Sequence, residues 1–258
     1  MQTEPTAPPV ESSKPAVLLY PEYRWTARDA WKCVGMILVF QILLEFVVWT
    51  LRLRVSWFRH WTYGNSFYFS MVVLDAAVWV VTAAYFARTE TWRAFREGFG
   101  LKRGTSNYVW LGISVAIVLR IILYALERLY LGPVVSTTPS ARFSLAPNVD
   151  RLLFLAPQLL APFFEEMVMR GFLYKAFRGS FSVWLSVTLV VVIAVLAHWD
   201  HYHGPASWLP ALGVVSMNVL LCLLREKSDS LWDCIWCHLT FNASTLLMSE
   251  TFRDLVRS

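Results

Sequence analysis

Long apolar runs recur along this chain at spacings that no soluble core requires. Seven of them, at about 30–51, 66–87, 107–127, 151–177, 181–198, 207–224 and 230–248, are each close to the length of a bilayer-crossing helix. The links between them are short and polar, among them Arg88 to Ser106 and the Pro/Ser/Thr-rich stretch from Gly132 to Asn148. No link is long enough to fold alone. The pattern predicts an all-α polytopic membrane protein with about seven transmembrane helices. The first 28 residues are polar and carry Pro5, Pro8, Pro9, Pro15 and Pro21. They lack the apolar core and cleavage site of a signal peptide, and a disordered arm is expected there.

Composition sharpens this reading. Of 258 residues, 57% are hydrophobic and 16% charged, against about 25% charged in soluble domains. Trp31, Trp49, Trp79, Trp110, Trp184, Trp199 and Trp208 fall near span ends, where an aromatic belt would place them. With the N-terminus inside, the inner segments hold 14 Lys and Arg and the outer segments 8. That bias predicts a cytoplasmic N-terminus. The net charge of +5 is spread over loops, with no basic stretch interleaved with exposed aromatics, so a nucleic-acid surface is set aside.

Charge inside the apolar runs points to chemistry. After Leu152 to Phe164 comes Glu165-Glu166-Met167-Val168-Met169-Arg170, and charge at that depth costs roughly 2.5–3.5 kcal/mol per residue. Glu166 and Arg170 share a helix face and can pair, while Glu165 points about 100° away. One arginine cannot balance two carboxylates. Pro157 and Pro162 precede the pair and should kink the helix. His198 ends the next run, followed by Asp200, His201 and His203 beside Gly204 and Pro205. His238 and Asn242 are four apart and face one way in the last run. Read alone, each is an interhelical hydrogen bond; with Glu165 they supply a base, two imidazoles and an amide donor, enough to activate water and stabilise an oxyanion.

Glu-Glu-x-x-x-Arg, a histidine closing a helix, and His-x-x-x-Asn in that order resemble the CPBP family of intramembrane endopeptidases. That family includes the type II CAAX prenyl endopeptidases and the bacteriocin-immunity (Abi) proteins. The resemblance covers roughly Leu152 to Met248 and extends to Arg170-Gly171-Phe172-Leu173-Tyr174 and Ser230-Leu231-Trp232. It departs at Ala194, where the family's Phe-x-x-x-His motif has phenylalanine. Together with the apolar runs it divides the chain into an arm over 1–28, three helices with their loops over 29–150, and a catalytic membrane core over 151–258, in the last four helices. It also implies a glutamic peptide hydrolase in which Glu165 and His198 activate water. His238 and Asn242 then hold the oxyanion, and Glu166 and Arg170 support Glu165. The expected partners are the lipid bilayer and a membrane-anchored or lipidated substrate cut near its C-terminus. The expected location is a bacterial inner membrane.

Other readings share these residues. Glu165, His198 and His238 could converge on zinc, although no His-Glu-x-x-His is present; the family resemblance implies no cofactor. Cys234-Ile235-Trp236-Cys237-His238 spells a c-type haem attachment pattern, but inside an apolar run rather than on a loop. A transporter or proton relay would use intramembrane Glu45, Asp75 and Arg120 as well. Those three are also candidates to pair with one another or to shape a substrate entrance.

Overall fold

The computed structural model describes residues 25–56, 58, 65–88, 91–101, 106–131, 159–199, 202 and 207–248. Among the described residues there are eight helices and no strands. Helices α1 (Ala27–Arg54), α2 (Asn65–Ala87), α3 (Trp92–Phe99) and α4 (Ser106–Leu131) precede the site. Helix α5 covers 159–178, followed by α6 (Val183–Ala197), α7 (Trp208–Ser228) and α8 (Leu231–Met248). Each of the seven apolar runs holds a helix. Four segments are long and apolar enough to cross a membrane by length and composition: Ala27–Arg54, Ser70–Ala87, Asn107–Tyr130 and Trp208–Ser228. Helix α6 is apolar but shorter. Helix α8 is interrupted by Asp233, His238 and Asn242. The arm before Trp25, the link from Gly132 to Asn148, and Pro157 lie outside the described residues.

The outer helices show the lipid-facing side directly. Helix α1 buries only Ala30, Cys33, Ile37 and Val48, while Leu38, Val39, Ile42 and Phe46 are exposed. An apolar surface of that extent belongs against hydrocarbon rather than water. Thr26 secures the start of α1, donating its N–H and hydroxyl to Asp29 Oδ2 at 3.0 and 2.8 Å.

Helix α3 corrects the reading of Arg88 to Ser106 as a plain link. Its eight residues are too few for a hydropathy window, yet both ends carry stop signals. The Thr91 hydroxyl accepts from Ala94 N–H at 3.1 Å, and Gly100 closes the helix at φ 75°. Phe99 is 1% exposed, and its ring lies 5.5 Å from that of Trp25. Trp25 also meets Phe172 of α5 at 5.1 Å and donates Nε1–H to Ala87 O at 2.9 Å. These contacts tie α1, α2 and α3 around the middle of α5.

Helices α7 and α8 form an antiparallel pair across Asp229 and Ser230. Asp229 adopts φ 50° and accepts from Arg225 Nη1 at 3.1 Å. Helix α4 lies along this pair. A Cβ on Gly112 would sit 3.1 Å from Cys237 Cβ and 3.1 Å from Leu224 Cδ2, and one on Gly213 of α7 would sit 3.6 Å from Leu123 Cδ1. The two contacts make α4 antiparallel to α7 and so parallel to α8. A small residue at the crossing lets the backbones approach.

Candidate active site

Helix α5 does not continue as a regular α-helix past the acidic pair. Met167–Leu173 is a π-helical segment, and all seven of its residues are buried. Such a turn adds a residue to the helix circumference and is found mostly at functional sites. The π segment follows Glu165 and Glu166, and Pro162 lies in the α-helical turns before them. Gly171 is required within the segment, because a Cβ there would stand 2.7 Å from Phe99 Cδ1.

The ion pair expected from the four-residue spacing forms at the core of the molecule. Arg170 Nη1 donates to Glu166 Oε1 at 3.0 Å, with side-chain exposures of 2% and 0%. Arg170 Nη2 donates to Asn218 Oδ1 of α7 at 2.6 Å, and Asn218 Nδ2 is itself anchored on Val214 O at 2.8 Å. Glu166 has a further partner: His238 Nδ1 lies 2.8 Å from the same Oε1. A carboxylate only accepts, so Nδ1 carries the proton and Nε2 is the ring nitrogen left for other work. That Nε2 lies 3.9 Å from Glu165 Oε2, beyond direct hydrogen bonding. Glu165 is the more accessible carboxylate, its side chain 34% exposed.

The other expected residues sit on neighbouring helix ends and faces. His198 caps the C-terminus of α6, and its Nδ1–H donates to Ala194 O at 2.8 Å, leaving Nε2 as the acceptor in the neutral ring. The residue at position 194 thus serves His198 through its backbone carbonyl, whatever its side chain. Asn242 lies one turn beyond His238 on α8 and is partly buried. Asp200, His201 and His203 lie outside the described residues. Cys234 and Cys237 are fully buried in α8. Among the described residues no group of three His, Cys, Asp or Glu side chains is gathered to hold a metal ion.

Two residues emerge only in three dimensions. Asn218, an amide within an apolar run, completes the shell of Arg170; its polarity at that depth was the available signal. Arg225, one of the 14 inner Lys and Arg, is 2% exposed. It donates Nη2 to Phe99 O at 3.3 Å and Nε to Arg170 O at 3.4 Å, bracing the π segment against α3. Arg170, also among those 14, is 1% exposed. Without these two the inner count becomes twelve against eight.

Both carboxylates, both imidazoles, the arginine and the amide fall in the stretch that matches a family model described as type II CAAX prenyl endopeptidase Rce1-like, over residues 147–244. Over that stretch the chain is similar to the Rce1-like family. That family is a CAAX-type intramembrane protease, a peptide hydrolase, and the apolar helices make the protein an integral membrane one. Neither the curated proteins nor the solved structures include a match. Within the matched stretch, Asn218 and Arg225 of α7 hold the acidic helix in register, while α3, outside it, packs on the π segment.

Proposed function

We propose that this protein cuts a membrane-anchored or lipidated protein near its C-terminus, using a water activated by Glu165 and no metal. The observation that carries the reading is the placement of His238 between the two carboxylates. Its Nδ1 lies 2.8 Å from the buried Glu166 and its Nε2 3.9 Å from the more accessible Glu165. In the imidazolium form the ring also offers Nε2–H on the Glu165 side.

Each group takes one task. Glu165 accepts a proton from water as the water oxygen attacks the scissile carbonyl carbon. His198, with Nε2 as acceptor, orients that water. The carbonyl oxygen becomes an oxyanion held by His238 Nε2–H and the Asn242 amide. Collapse breaks the C–N bond, and the proton on Glu165 passes to the leaving amine. Glu166 and Arg170 act through His238: the buried carboxylate keeps the imidazole oriented. The 3.9 Å between Glu165 and His238 leaves each free to engage a different reacting atom.

The cytoplasmic N-terminus and a bacterial inner membrane complete the proposal, with His198 toward the outer face. Single cysteines at positions 204 and 228 test the sidedness; labelling of 204 only from inside overturns it. The test of function compares membrane-protein C-termini in host cells carrying the intact protein or Glu165→Gln at matched levels. A precursor left uncut only with the variant is expected. Identical termini, with both proteins folded, would refute the assignment.

A further inference from the structure

Helix α3 carries a charged and aromatic surface that the chemistry of the site leaves unused. It lies between two helices long and apolar enough to cross a membrane, Ser70–Ala87 and Asn107–Tyr130, where the chain leaves the bilayer and re-enters it. Its apolar side is taken up by the protein: Gly98 and Phe99 are buried, and the Phe95 ring lies 4.4 Å from that of Phe99. Trp92, Arg93, Arg96 and Glu97 remain exposed. The Trp92 ring is 68% exposed even though it stacks on Phe95 at 5.3 Å and 15°. Arg93 and Glu97 neutralise each other at 2.9 Å. Arg96 follows Trp92 by one turn and shares its edge of the helix. Among the described residues its side chain makes no ion pair, and neither does that of the exposed Arg88 just past α2.

The other end of α3 is fastened to the helices of the site. A helix end leaves its last carbonyls without partners inside the helix, and here three successive ones are taken by three different helices. Gly98 O accepts from Lys175 Nζ of α5 at 2.7 Å. Phe99 O accepts from Arg225 Nη2 of α7 at 3.3 Å, and Gly100 O from the Leu231 N–H that opens α8 at 2.8 Å. The same Arg225 reaches Arg170 O, and Phe99 fills the space beside Gly171. A displacement of α3 is therefore felt at Arg170, which holds Glu166, and at the start of the helix that carries His238 and Asn242.

We infer that α3 docks on anionic lipid headgroups through Arg88 and Arg96, with the Trp92 ring at headgroup level, and that this docking steadies the π segment. An indole belongs at the membrane–water interface, and a guanidinium takes a phosphate through two parallel bonds. A zwitterionic headgroup already balances its phosphate with its own ammonium. Only an anionic one brings net negative charge to two arginines that no carboxylate compensates. Arg28 and Lys32 of α1 are exposed at the same end, which Trp25 ties to Ala87 O and to Phe99, and they extend the positive field along the surface.

The test reconstitutes the full-length protein in an equimolar mixture of phosphatidylglycerol and phosphatidylcholine, and native mass spectrometry counts the lipids it retains. The intact protein should keep phosphatidylglycerol over phosphatidylcholine by at least about fivefold, the worth of one basic side chain at an anionic surface. Arg88→Gln combined with Arg96→Gln should lose at least that factor, and Arg88→Lys with Arg96→Lys should keep most of it. Equal retention of the two lipids by the intact protein, or a preference unchanged by the glutamines, would overturn the docking. Displacement of phosphatidylglycerol by inorganic phosphate, against a chloride control of equal ionic strength, would make the occupant a free anion and overturn the lipid assignment. Coupling is read by amide hydrogen exchange over residues 167–178. Exchange should be about fivefold slower in the mixed liposomes than in phosphatidylcholine alone, and equal in the two for the glutamine variant. Unchanged exchange in the intact protein, with phosphatidylglycerol retained, would overturn the coupling. Neither readout requires cleavage, so both outcomes are distinct from the fate of the peptidase reading.

Discussion

Glu165→Gln and Glu166→Gln are the same chemical change at adjacent positions, and the structure sets their consequences far apart. Glu166 is fully buried and accepts two charge-assisted bonds on one oxygen, from Arg170 at 3.0 Å and His238 at 2.8 Å. A neutral amide oxygen keeps both bonds but weakens each, from about 1.5–3 to about 0.5–1.5 kcal/mol, a loss of about 2–3 in all. The new NH2 falls where Oε2 has no partner, and an unsatisfied buried donor costs about 1–3 kcal/mol more. The sum, about 3–6 kcal/mol, agrees with the 3–5 typical of breaking a buried ion pair. It is a large part of a stability of about 5–15 kcal/mol. Glu165 is one-third exposed, and its described charged partner is at 3.9 Å, so Glu165→Gln should cost less than about 1 kcal/mol. Activity should rank the other way, with Glu165→Gln inactive though folded. SDS titration of the protein in mild detergent, followed by tryptophan fluorescence, measures the stabilities. Arg170→Met added to Glu166→Gln should restore part of the loss by removing the stranded cation. Equal destabilisation by the two single variants would refute the buried-cluster reasoning.

Other outcomes follow from single contacts. Asn218→Leu removes the 2.6 Å acceptor of Arg170 and should lower stability by about 1.5–3 kcal/mol in the same titration; a neutral result would show that Arg170 does not depend on α7. Gly171→Ala forces a methyl onto Phe99 and should cost about 1–3 kcal/mol. Adding Phe99→Leu should relieve part of that penalty, whereas strict additivity of the two variants would place the strain elsewhere. Chelators should leave peptidase activity unchanged, and a loss reversed by zinc would overturn the metal-free mechanism.

The membrane class and the helical runs were legible because they rest on local quantities. A run of apolar residues makes the same helix in hydrocarbon wherever its neighbours lie, and Glu166 finds Arg170 because four residues return to one face. Carboxylates at that depth are costly enough to mark a site unaided. Partner choice between helices has no such local rule. That Glu166 meets His238, 72 residues away, depends on the rotation and axial register of α5 against α8. Asn218 and Arg225 carry no local signal of a shared partner; α7 turns both inward onto Arg170. Helix α3 escaped a hydropathy reading because it is short and is held by Trp25, Phe99 and Phe172 rather than by its own length. The amino-acid sequence by itself determined which segments enter the membrane and which residues are too costly there to be idle. Only the tertiary structure decided which of those residues face one another, because that is settled by how whole helices pack.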